Sequence, residues 1–411
     1  MSTHHHDVVV IGGGNAGISL AARLRRDGCR DVAVVDPAEV HHYRPLLSYV
    51  AGGLATLDDL RRPQADVVPE GCHWYADRVV AVDPERSTVR LAGGQELTYG
   101  DLAVCPGSQV DWDALPGSRA AMATPSASTS YLPEHAPDTW TMLSRLREGR
   151  AVFAVADAHV PCAPVALKPL FLAADHWRRE GVLDRIEIDL LAEADALVPQ
   201  ARADLLLREA ADGYGVRVRT GVRLASVDAG ARTLHLRTAG GTEAGGTDAG
   251  GSAPGGTEAV PYDVLYLAPP HRAPAWVAAS GLADDGSDGL VAVDPGTLQH
   301  VTHARVWGLG DAAAVDALPS GGALRKQVPV VADNIAARHS GRPMRRYSGY
   351  SVAPVTTSRR HLLLGEFDRA GRPEPTVRVP DLVRPRRSLL LFDRYLEPRV
   401  YWHRLLRGKV S

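Results

Sequence analysis

Short apolar runs, each followed by a turn or by a helical pattern, recur along the chain. The first run, residues 7–11, contains four β-branched residues in a row and predicts a central parallel strand that is buried on both faces. Residues 18–26 then carry apolar side chains at helical spacing, and Gly28 ends that helix. A second apolar run at 32–35 predicts another strand. Strand, helix and strand in this order indicate a parallel sheet and therefore an α/β fold.

The loop between the first strand and the helix carries a chemical signature. It reads GGGNAG over residues 12–17, and the acidic residue Asp36 follows 19 positions after the last glycine. This is the full dinucleotide-binding fingerprint. Gly12 allows a tight turn, Gly14 lets the backbone approach a pyrophosphate, and Gly17 lets helix and strand pack closely. The helix N-terminus attracts the phosphates, and we expect Asp36 to accept hydrogen bonds from a ribose.

Two further turns indicate which dinucleotide binds. Residues 306–314 read VWGLGDAAA, a strand and a glycine turn with Asp311 opening a helix. This resembles the second FAD motif of flavoproteins with two dinucleotide-binding domains, whose aspartate holds the ribityl chain. Residues 99–108 resemble their middle motif, usually written A-T-G, with Cys105 and Pro106 in place of Ala-Thr. Three motifs in the right order predict FAD as the cofactor.

The middle of the chain lacks a second glycine fingerprint. The apolar run 151–155 predicts the strand that would precede it, but residues 156–164 contain two prolines, Cys162 and no glycine. Side chains would stand where a pyrophosphate must touch the backbone, so an NAD(P)H-driven reductase is disfavoured. A cysteine in this loop suggests a sulfur compound as the electron donor instead.

Several other segments, spread over the chain, match one family. They are HHYRPLL at 41–47, RRP at 61–63, DTW at 138–140, GLVAVD at 289–294, TLQH at 297–300, YSGY at 347–350 and LGEFD at 364–368. With these segments the whole chain resembles sulfide:quinone oxidoreductase, in particular the branch that includes the mitochondrial enzymes.

The resemblance implies an α/β fold with two Rossmann-like dinucleotide-binding domains of the glutathione-reductase type. The FAD-binding domain is discontinuous, at 1–114 and 289–340. Residues 115–288 form a second Rossmann-like domain without a nucleotide fingerprint, and 341–411 form a C-terminal basic amphipathic region. The motifs and the resemblance together imply these FAD-binding residues: Gly12, Gly14, Asn15, Ala16, Gly17, Asp36, Arg44, Pro45, Cys105, Pro106, Gly107, Gly310, Asp311, Lys326 and Gln327.

In the family that the chain resembles, two cysteines work at the flavin. The resemblance places the first at Cys162, with Lys168 six residues further on, and the second at Ala353, which has no thiol. A single thiolate at Cys162 could still accept sulfur if Lys168 or a helix N-terminus lowers its pKa. We therefore predict Cys162 and Lys168 as catalytic residues. A structural thiol and a solvated lysine stay open as alternatives.

Three functions remain in competition. The first is an FAD-dependent oxidoreductase that passes two electrons from a sulfur compound or another small donor to a quinone or similar acceptor. The second is the same scaffold repurposed to oxidise a non-sulfide small molecule, for example in a biosynthetic pathway, and the missing second cysteine supports it. The third is an FAD-binding module without turnover. A homodimer is also left open.

Composition adds constraints on location and partners. The chain has 411 residues with four cysteines, too few for a disulfide scaffold, so we expect a cytoplasmic protein. Its net charge of −2 argues against nucleic-acid binding. However, residues 341–411 carry 16 basic and 6 acidic residues, or +10, which leaves −12 for 1–340 (30 against 42). The segment 386–409 alternates arginines with leucines and aromatics. It either lies peripherally at the inner face of a membrane or packs on the core.

Two short segments receive simple predictions. Residues 240–259 contain four imperfect repeats of the type GGTEA and predict a flexible hairpin tip. Three consecutive histidines, His4 to His6, precede the first strand. We expect them on a mobile terminus and assign no metal site to them.

Overall fold

The computed structural model describes residues 3–157, 159–237, 257–377 and 379–409. The predicted hairpin tip at 240–259 lies almost entirely outside these residues. No helix among the described residues combines the length and the apolar character needed to cross a membrane.

Strands occur throughout the described part of the chain. They are β1 (Thr3–Ile11), β2 (Val32–Val35), β3 (Val40–His42), β4 (Arg61–Pro63), β5 (His73–Tyr75), β6 (Val79–Asp83), β7 (Thr88–Leu91), β8 (Glu96–Val104), β9 (Gln109–Val110), β10 (Ala127–Ser128), β11 (Gly149–Val155), β12 (Ile186–Ala192), β13 (Val216–Arg219), β14 (Arg223–Asp228), β15 (Thr233–Arg237), β16 (Thr257–Pro261), β17 (Val264–Ala268), β18 (His271–Arg272), β19 (Val306–Gly308), β20 (Ser351–Thr356) and β21 (Leu362–Phe367).

The helices in the same ranges vary from one turn to nearly five. They are α1 (Asn15–Arg26), α2 (Leu47–Val50), α3 (Gln64–Val67), α4 (Ser118–Met122), α5 (Ala136–Arg145), α6 (Leu167–Arg179), α7 (Ala201–Asp212), α8 (Trp276–Ala279), α9 (Leu324–Ser340), α10 (Arg387–Leu391) and α11 (Glu397–His403). A π-helical turn, Phe392–Leu396, joins α10 to α11.

The first large sheet has the strand order β5-β2-β1-β8-β7-β6, with β19 also paired to β8. Strand β1 lies at its centre and pairs in parallel with both β2 and β8. Its apolar residues are buried, as expected for a strand covered on both faces. Because β19 comes from residues far along the chain, the sheet is assembled from two separate parts of the sequence.

The second large sheet has the order β10-β17-β11-β12-β13, and all of its pairings are parallel. A separate antiparallel sheet, β14-β15-β16, follows β13 along the chain. Helix α6 follows β11 and buries most of its residues, including Trp177, against this second core. The loop that connects β11 to α6 contains Cys162.

The C-terminal residues join both cores. Strands β20 and β21 form an antiparallel hairpin that the sequence pattern did not predict, and Ala353 and Phe367 from it pack into the second core. Tyr401 and Trp402 on α11, in contrast, pack into the first core. The described part of residues 341–409 therefore contains more than an amphipathic segment, since its hairpin packs into the second core and α11 packs into the first.

Candidate flavin and thiol site

The glycine-rich loop between β1 and α1 excludes side chains at two positions. Gly12 has a φ of +105°, and a Cβ there would overlap the carbonyl oxygen of Cys105. A Cβ on Gly17 would overlap the carbonyl oxygen of Gly12. Only glycine therefore allows the strand, the loop and the helix to pack together. A Cβ on Gly14 would meet nothing within 4 Å, so the backbone faces open space there.

The N-terminus of α1 is uncapped. Its N-cap residue, Gly14, has no side chain to accept a hydrogen bond, and the first turn contains no acidic residue. Free N–H groups and the helix dipole therefore favour an anion at this position. The helix starts with Asn15 and Ala16, and the Asn15 amide donates to the carbonyl of Gly321 at 3.3 Å. This bond ties the loop to the segment that precedes α9.

Asp36 and two unpredicted residues hold the loop from the other side. The Asp36 carboxylate accepts hydrogen bonds from the backbone N–H groups of Gly13 and Ala38. Each carboxylate oxygen can accept another bond, so a ribose hydroxyl can still bind. The carbonyl of Gly13 accepts from Gln64 Nε2 at 2.9 Å, and His41 Nδ1 lies 3.0 Å from it. Sequence analysis missed both supports, although His41 lies in a segment that carried the family resemblance.

The second FAD motif forms a single 3₁₀ turn, Gly310–Ala312, rather than the start of a longer helix. The N–H of Gly310 donates to Gln327 Oε1 at 2.9 Å, which links this turn to α9. Among the hydrogen bonds of the described residues, none involves the Asp311 carboxylate. Burial raises the pKa of Asp311, and the nearby Arg44 opposes that rise. A carboxylate with free acceptor positions suits a ligand that carries hydroxyl groups.

The remaining predicted flavin residues come from three parts of the chain. They are Arg44 and Pro45 in the exposed turn after β3, Cys105, Pro106 and Gly107 after β8, and Lys326 on α9. Burial raises the pKa of the Cys105 thiol, so this cysteine is protonated at neutral pH. Lys326 is exposed, and its Nζ lies 6.0 Å from the centre of the Tyr350 ring.

Cys162 contacts two segments that lie far along the chain. Its backbone is left-handed, with a φ of +48°, and its N–H donates to the carbonyl of Pro319 at 2.8 Å. Pro319 belongs to the segment between the Asp311 turn and α9. The Cys162 Sγ lies 3.6 Å from the carbonyl oxygen of Val352, the residue before Ala353. The structure thus brings Cys162 against the strand in which the resemblance places the second cysteine.

The environment of Cys162 does not activate it as expected. Burial raises the pKa of the Cys162 thiol to about 12, although Lys168 acts in the opposite direction. Lys168 lowers the pKa of this thiol, but loss of solvation outweighs the attraction of one ammonium group, so the net shift is upward. At neutral pH the group is a thiol.

Lys168 is fully buried, which excludes the alternative of a solvated helix residue. Its Nζ lies 2.7 Å from Asp393 Oδ2 and 4.5 Å from the centre of the Tyr49 ring. The Tyr49 hydroxyl donates to the same carboxylate oxygen at 2.5 Å. Sequence analysis missed Asp393 and Tyr49. The available signal was an acidic residue, followed by Arg394, within a mostly apolar stretch at 391–396.

Three further polar contacts dock the C-terminal helices. The Tyr401 hydroxyl lies 2.6 Å from His41 Nε2, and Glu397 forms an ion pair with Arg325 on α9. The guanidinium of Arg62 lies 4.4 Å from the centre of the Trp402 ring. For Tyr401 to Leu406, the core-packing alternative is therefore the one that the structure shows.

The preceding turn exposes an apolar patch. Leu391, Phe392, Tyr395 and Leu396 are all exposed, and Leu391 and Tyr395 retain 56% and 58% of their accessible surface. We call these four residues the apolar patch. The exposed basic side chains near it in sequence are Arg384, Arg387, Arg399, Arg404, Arg407 and Lys409. Exposed apolar groups flanked by basic residues are typical of surfaces that bind membranes or partners.

At the carboxyl edge of the second sheet, a carboxylate occupies the place where a nucleotide phosphate would have to bind. The Glu193 carboxylate accepts hydrogen bonds from the N–H groups of Asp157 and Leu224. Asp157 lies just after β11, at the position where a second fingerprint would contact a pyrophosphate. A phosphate there would meet a carboxylate in place of free N–H donors, which adds to the argument from the missing glycines.

The site geometry fits FAD as the cofactor. A loop that requires glycine, an uncapped helix N-terminus, Asp36 beside the loop and a free carboxylate at Asp311 provide partners for the phosphates, a ribose and the ribityl chain.

Comparisons with known proteins agree with this geometry. Residues 6–135 match the family model of pyridine nucleotide-disulphide oxidoreductases. The chain is 27% identical over 406 residues to the mitochondrial sulfide:quinone oxidoreductase of Dictyostelium discoideum, covering 98% of this chain and 86% of that one. It is 28% identical over 407 residues to the Mus musculus enzyme, covering 98% and 87%. The structure of the sulfide:quinone oxidoreductase from Aquifex aeolicus is similar with a TM-score of 0.81 and 17% identity, over 99% of this chain and 92% of that one.

Fold and site together define an FAD-dependent flavoprotein oxidoreductase with the pyridine nucleotide-disulphide oxidoreductase fold. Its sequence similarity extends over nearly the entire chain rather than the cofactor loop alone. Among the relatives compared, sulfide:quinone oxidoreductases are the proteins to which this chain is similar over nearly its whole length.

Proposed function

We propose that this enzyme oxidises a small sulfur-containing donor at Cys162 and passes the two electrons through FAD to a quinone or a similar acceptor. The observation that carries the proposal is the position of Cys162. Its backbone is bonded to the segment after Asp311, and its thiol contacts the strand that contains Ala353. A thiol at the junction of both domains and the cofactor-binding loops is suited to deliver electrons to the cofactor.

Specific groups of residues would hold FAD. The Gly12 to Gly17 loop and the N-terminus of α1 would bind the pyrophosphate, Asp36 a ribose, and Asp311 the ribityl hydroxyls. The loop before α9 would present its N–H groups to the ring system, with Lys326 at its border. When bound, FAD supplies two-electron chemistry between donor and acceptor.

The thiol of Cys162 must lose its proton before it can bond to sulfur. Joining a sulfide sulfur to Cys162 would form one S–S bond, with release of one proton from each S–H group and of two electrons, and bound FAD would supply the two-electron acceptor. Because burial favours the neutral thiol, the resting enzyme is protected against oxidation by other reagents. Lys168 lowers the pKa of the thiol, and its pairing with Asp393 weakens that influence.

On the acceptor side, we propose that the apolar patch contacts a membrane from which a lipid-soluble quinone enters. Three patch residues belong to the same π-helical turn as Asp393, and Asp393 is bonded to Lys168 and Tyr49. The flanking arginines would interact with anionic lipids. A peripheral location follows from this proposal without any membrane-spanning helix.

One alternative is supported by a specific observation. Ala353 and the high pKa of Cys162 both favour a scaffold repurposed for a non-sulfide small molecule, with Cys162 incidental. An FAD-binding module without turnover remains the second alternative.

One titration separates these functions. The purified holoenzyme is reduced anaerobically with sulfide, with a small thiol and with NADH in separate cuvettes, while flavin absorbance is recorded. We expect bleaching by sulfide or the thiol, its loss in Cys162→Ala, and its retention in Cys72→Ala. Cys72 is a suitable control because it is a half-buried thiol that packs against the first core, whereas Cys162 follows a strand of the second sheet.

The remaining outcomes are informative as well. Fast bleaching by NADH would contradict the argument from Glu193 and the glycine-free loop. Bleaching by sulfide that survives in Cys162→Ala would assign the chemistry to the cofactor alone. No reduction by any of the three donors would favour the repurposed or the non-catalytic function.

A further inference from the structure

The three histidines near the N-terminus are part of the fold. They belong to β1, which starts at Thr3, so the expectation of a mobile terminus is wrong. His6 is 4% exposed, and its two ring nitrogens both have partners. Nδ1 lies 2.7 Å from Asp31 Oδ1, and Nε2 lies 2.9 Å from the hydroxyl of Tyr75. These partners hold the buried imidazole of His6 in a fixed orientation, with Nδ1 directed at the Asp31 carboxylate.

A second histidine approaches the same carboxylate. His73 Nε2 lies 3.7 Å from Asp31 Oδ1, and the rings of His6 and His73 are 5.0 Å apart between their centres. One potential ligand atom from each of these three residues lies within 4.8 Å of the others. Around a tetrahedral ion with bonds of about 2.1 Å, neighbouring ligand atoms are about 3.4 Å apart. The separation of 2.7 Å between His6 and Asp31 is shorter than that value, the 3.7 Å between His73 and Asp31 is slightly longer, and all three ligand atoms lie within 4.8 Å of one another. Small side-chain rotations would therefore bring the three atoms to the distances that a bound ion requires.

The order of the strands explains why these residues meet. Strand β2 lies between β1 and β5 and pairs in parallel with both. His6 belongs to β1, Asp31 directly precedes β2, and His73 is the first residue of β5. The N–H of Val8 donates to the carbonyl of Asp31 at 3.2 Å, which places Asp31 beside the His6 segment of β1. Because Asp31 lies just outside its strand, its side chain is not bound to one face of the sheet. The three potential ligands therefore lie together at one edge of the sheet. This is the amino-terminal edge, opposite to the edge with the cofactor loop.

We propose that His6, Asp31 and His73 bind one divalent transition-metal ion, with Zn²⁺ as the principal candidate. Two imidazoles and one carboxylate are ligands that zinc accepts, and a water molecule would complete the tetrahedron. The Tyr75 hydroxyl would accept the N–H of His6 Nε2, which leaves Nδ1 free to bind the metal. Hydrogen bonds of this kind commonly orient metal-binding histidines. The ion would connect the ends of β1, β2 and β5.

The test uses the untagged holoenzyme after removal of metals with a chelator. Zn²⁺ binding is measured by competition with a chromophoric chelator, and Co²⁺ binding by its visible absorption. We expect one ion per chain. His73→Ala should weaken binding at least ~10-fold, and Tyr75→Phe by ~10-fold through loss of the orienting hydrogen bond. His73 is largely exposed, so its replacement leaves the core intact.

The control is His5→Ala, which removes an exposed histidine of the same run that is bonded to Thr98. It should bind Zn²⁺ as the parent protein does. Absence of saturable binding overturns the proposal, as does binding that persists unchanged in His73→Ala. Loss of binding in His5→Ala would assign the ion to the outer histidines and overturns the proposal as well. Each readout is independent of the flavin chemistry.

Discussion

Removing the carboxylate of Asp393 should destabilise the protein strongly, because it leaves a buried ammonium group without a partner. Lys168 has no exposed surface, and its only ion pair among the described residues is with Asp393. Breaking one side of a buried ion pair costs about 3–5 kcal/mol. Asp393→Ala should therefore lower the free energy of unfolding by an amount in this range. The Tyr49 hydroxyl also loses its acceptor, which adds to the effect.

Urea denaturation of the holoenzyme, followed by circular dichroism, measures this change. The triple variant Lys168→Met, Asp393→Leu and Tyr49→Phe replaces the polar cluster by apolar groups and should recover most of the lost stability. Asp58→Ala breaks an exposed ion pair with Arg61 and should change stability by at most about 1 kcal/mol. An Asp393→Ala variant as stable as Asp58→Ala would refute the reasoning that this pair is desolvated.

Four further predictions concern the cofactor, the thiol and the apolar patch. Gly12→Ala should purify with little flavin, because the new Cβ would overlap the carbonyl oxygen of Cys105. Gly94→Ala is the control: it lies in an open turn with a similar φ and should keep the flavin absorbance of the parent protein. Ala353→Cys should increase the rate of sulfide-dependent flavin reduction at least ~10-fold. It should also form a disulfide with Cys162, which mass spectrometry would detect. An unchanged rate would argue that position 353 is not part of the reaction centre. Because burial raises the pKa of Cys162 to about 12, its alkylation rate should rise about tenfold per pH unit between pH 7 and 10, and a plateau below pH 9 would contradict this pKa. Replacing Leu391 and Tyr395 by glutamate should abolish sedimentation with anionic liposomes, while Leu205→Glu, at an equally exposed leucine of α7, should leave it unchanged.

Local patterns predicted the cofactor half of the site well. The strand over residues 32–35 and the helix that ends before Gly28 have the bounds that the apolar pattern and the glycine indicate. The comparisons confirm the flavoprotein fold and the resemblance to sulfide:quinone oxidoreductases. These features depend on neighbouring residues along the chain, and such information is directly readable from a sequence.

Long-range contacts could not be predicted in the same way. Asp393 and Lys168 are 225 residues apart, and nothing in either segment indicates its partner. The pKa of Cys162 is set mainly by burial, which outweighs the opposing effect of Lys168, and the depth of burial depends on contacts with residues far along the chain, such as Val352. The hairpin of β20 and β21 also escaped prediction.

The contact of Tyr401 with His41 bears on how the enzyme is made in the cell. His41 bonds the carbonyl of Gly13 through one ring nitrogen and the hydroxyl of Tyr401 through the other. The cofactor loop near the start of the chain is therefore completed by a residue that is translated very late. A nascent chain still attached to the ribosome lacks this support. Flavin incorporation should thus follow translation rather than accompany it, so that unfinished chains remain colourless.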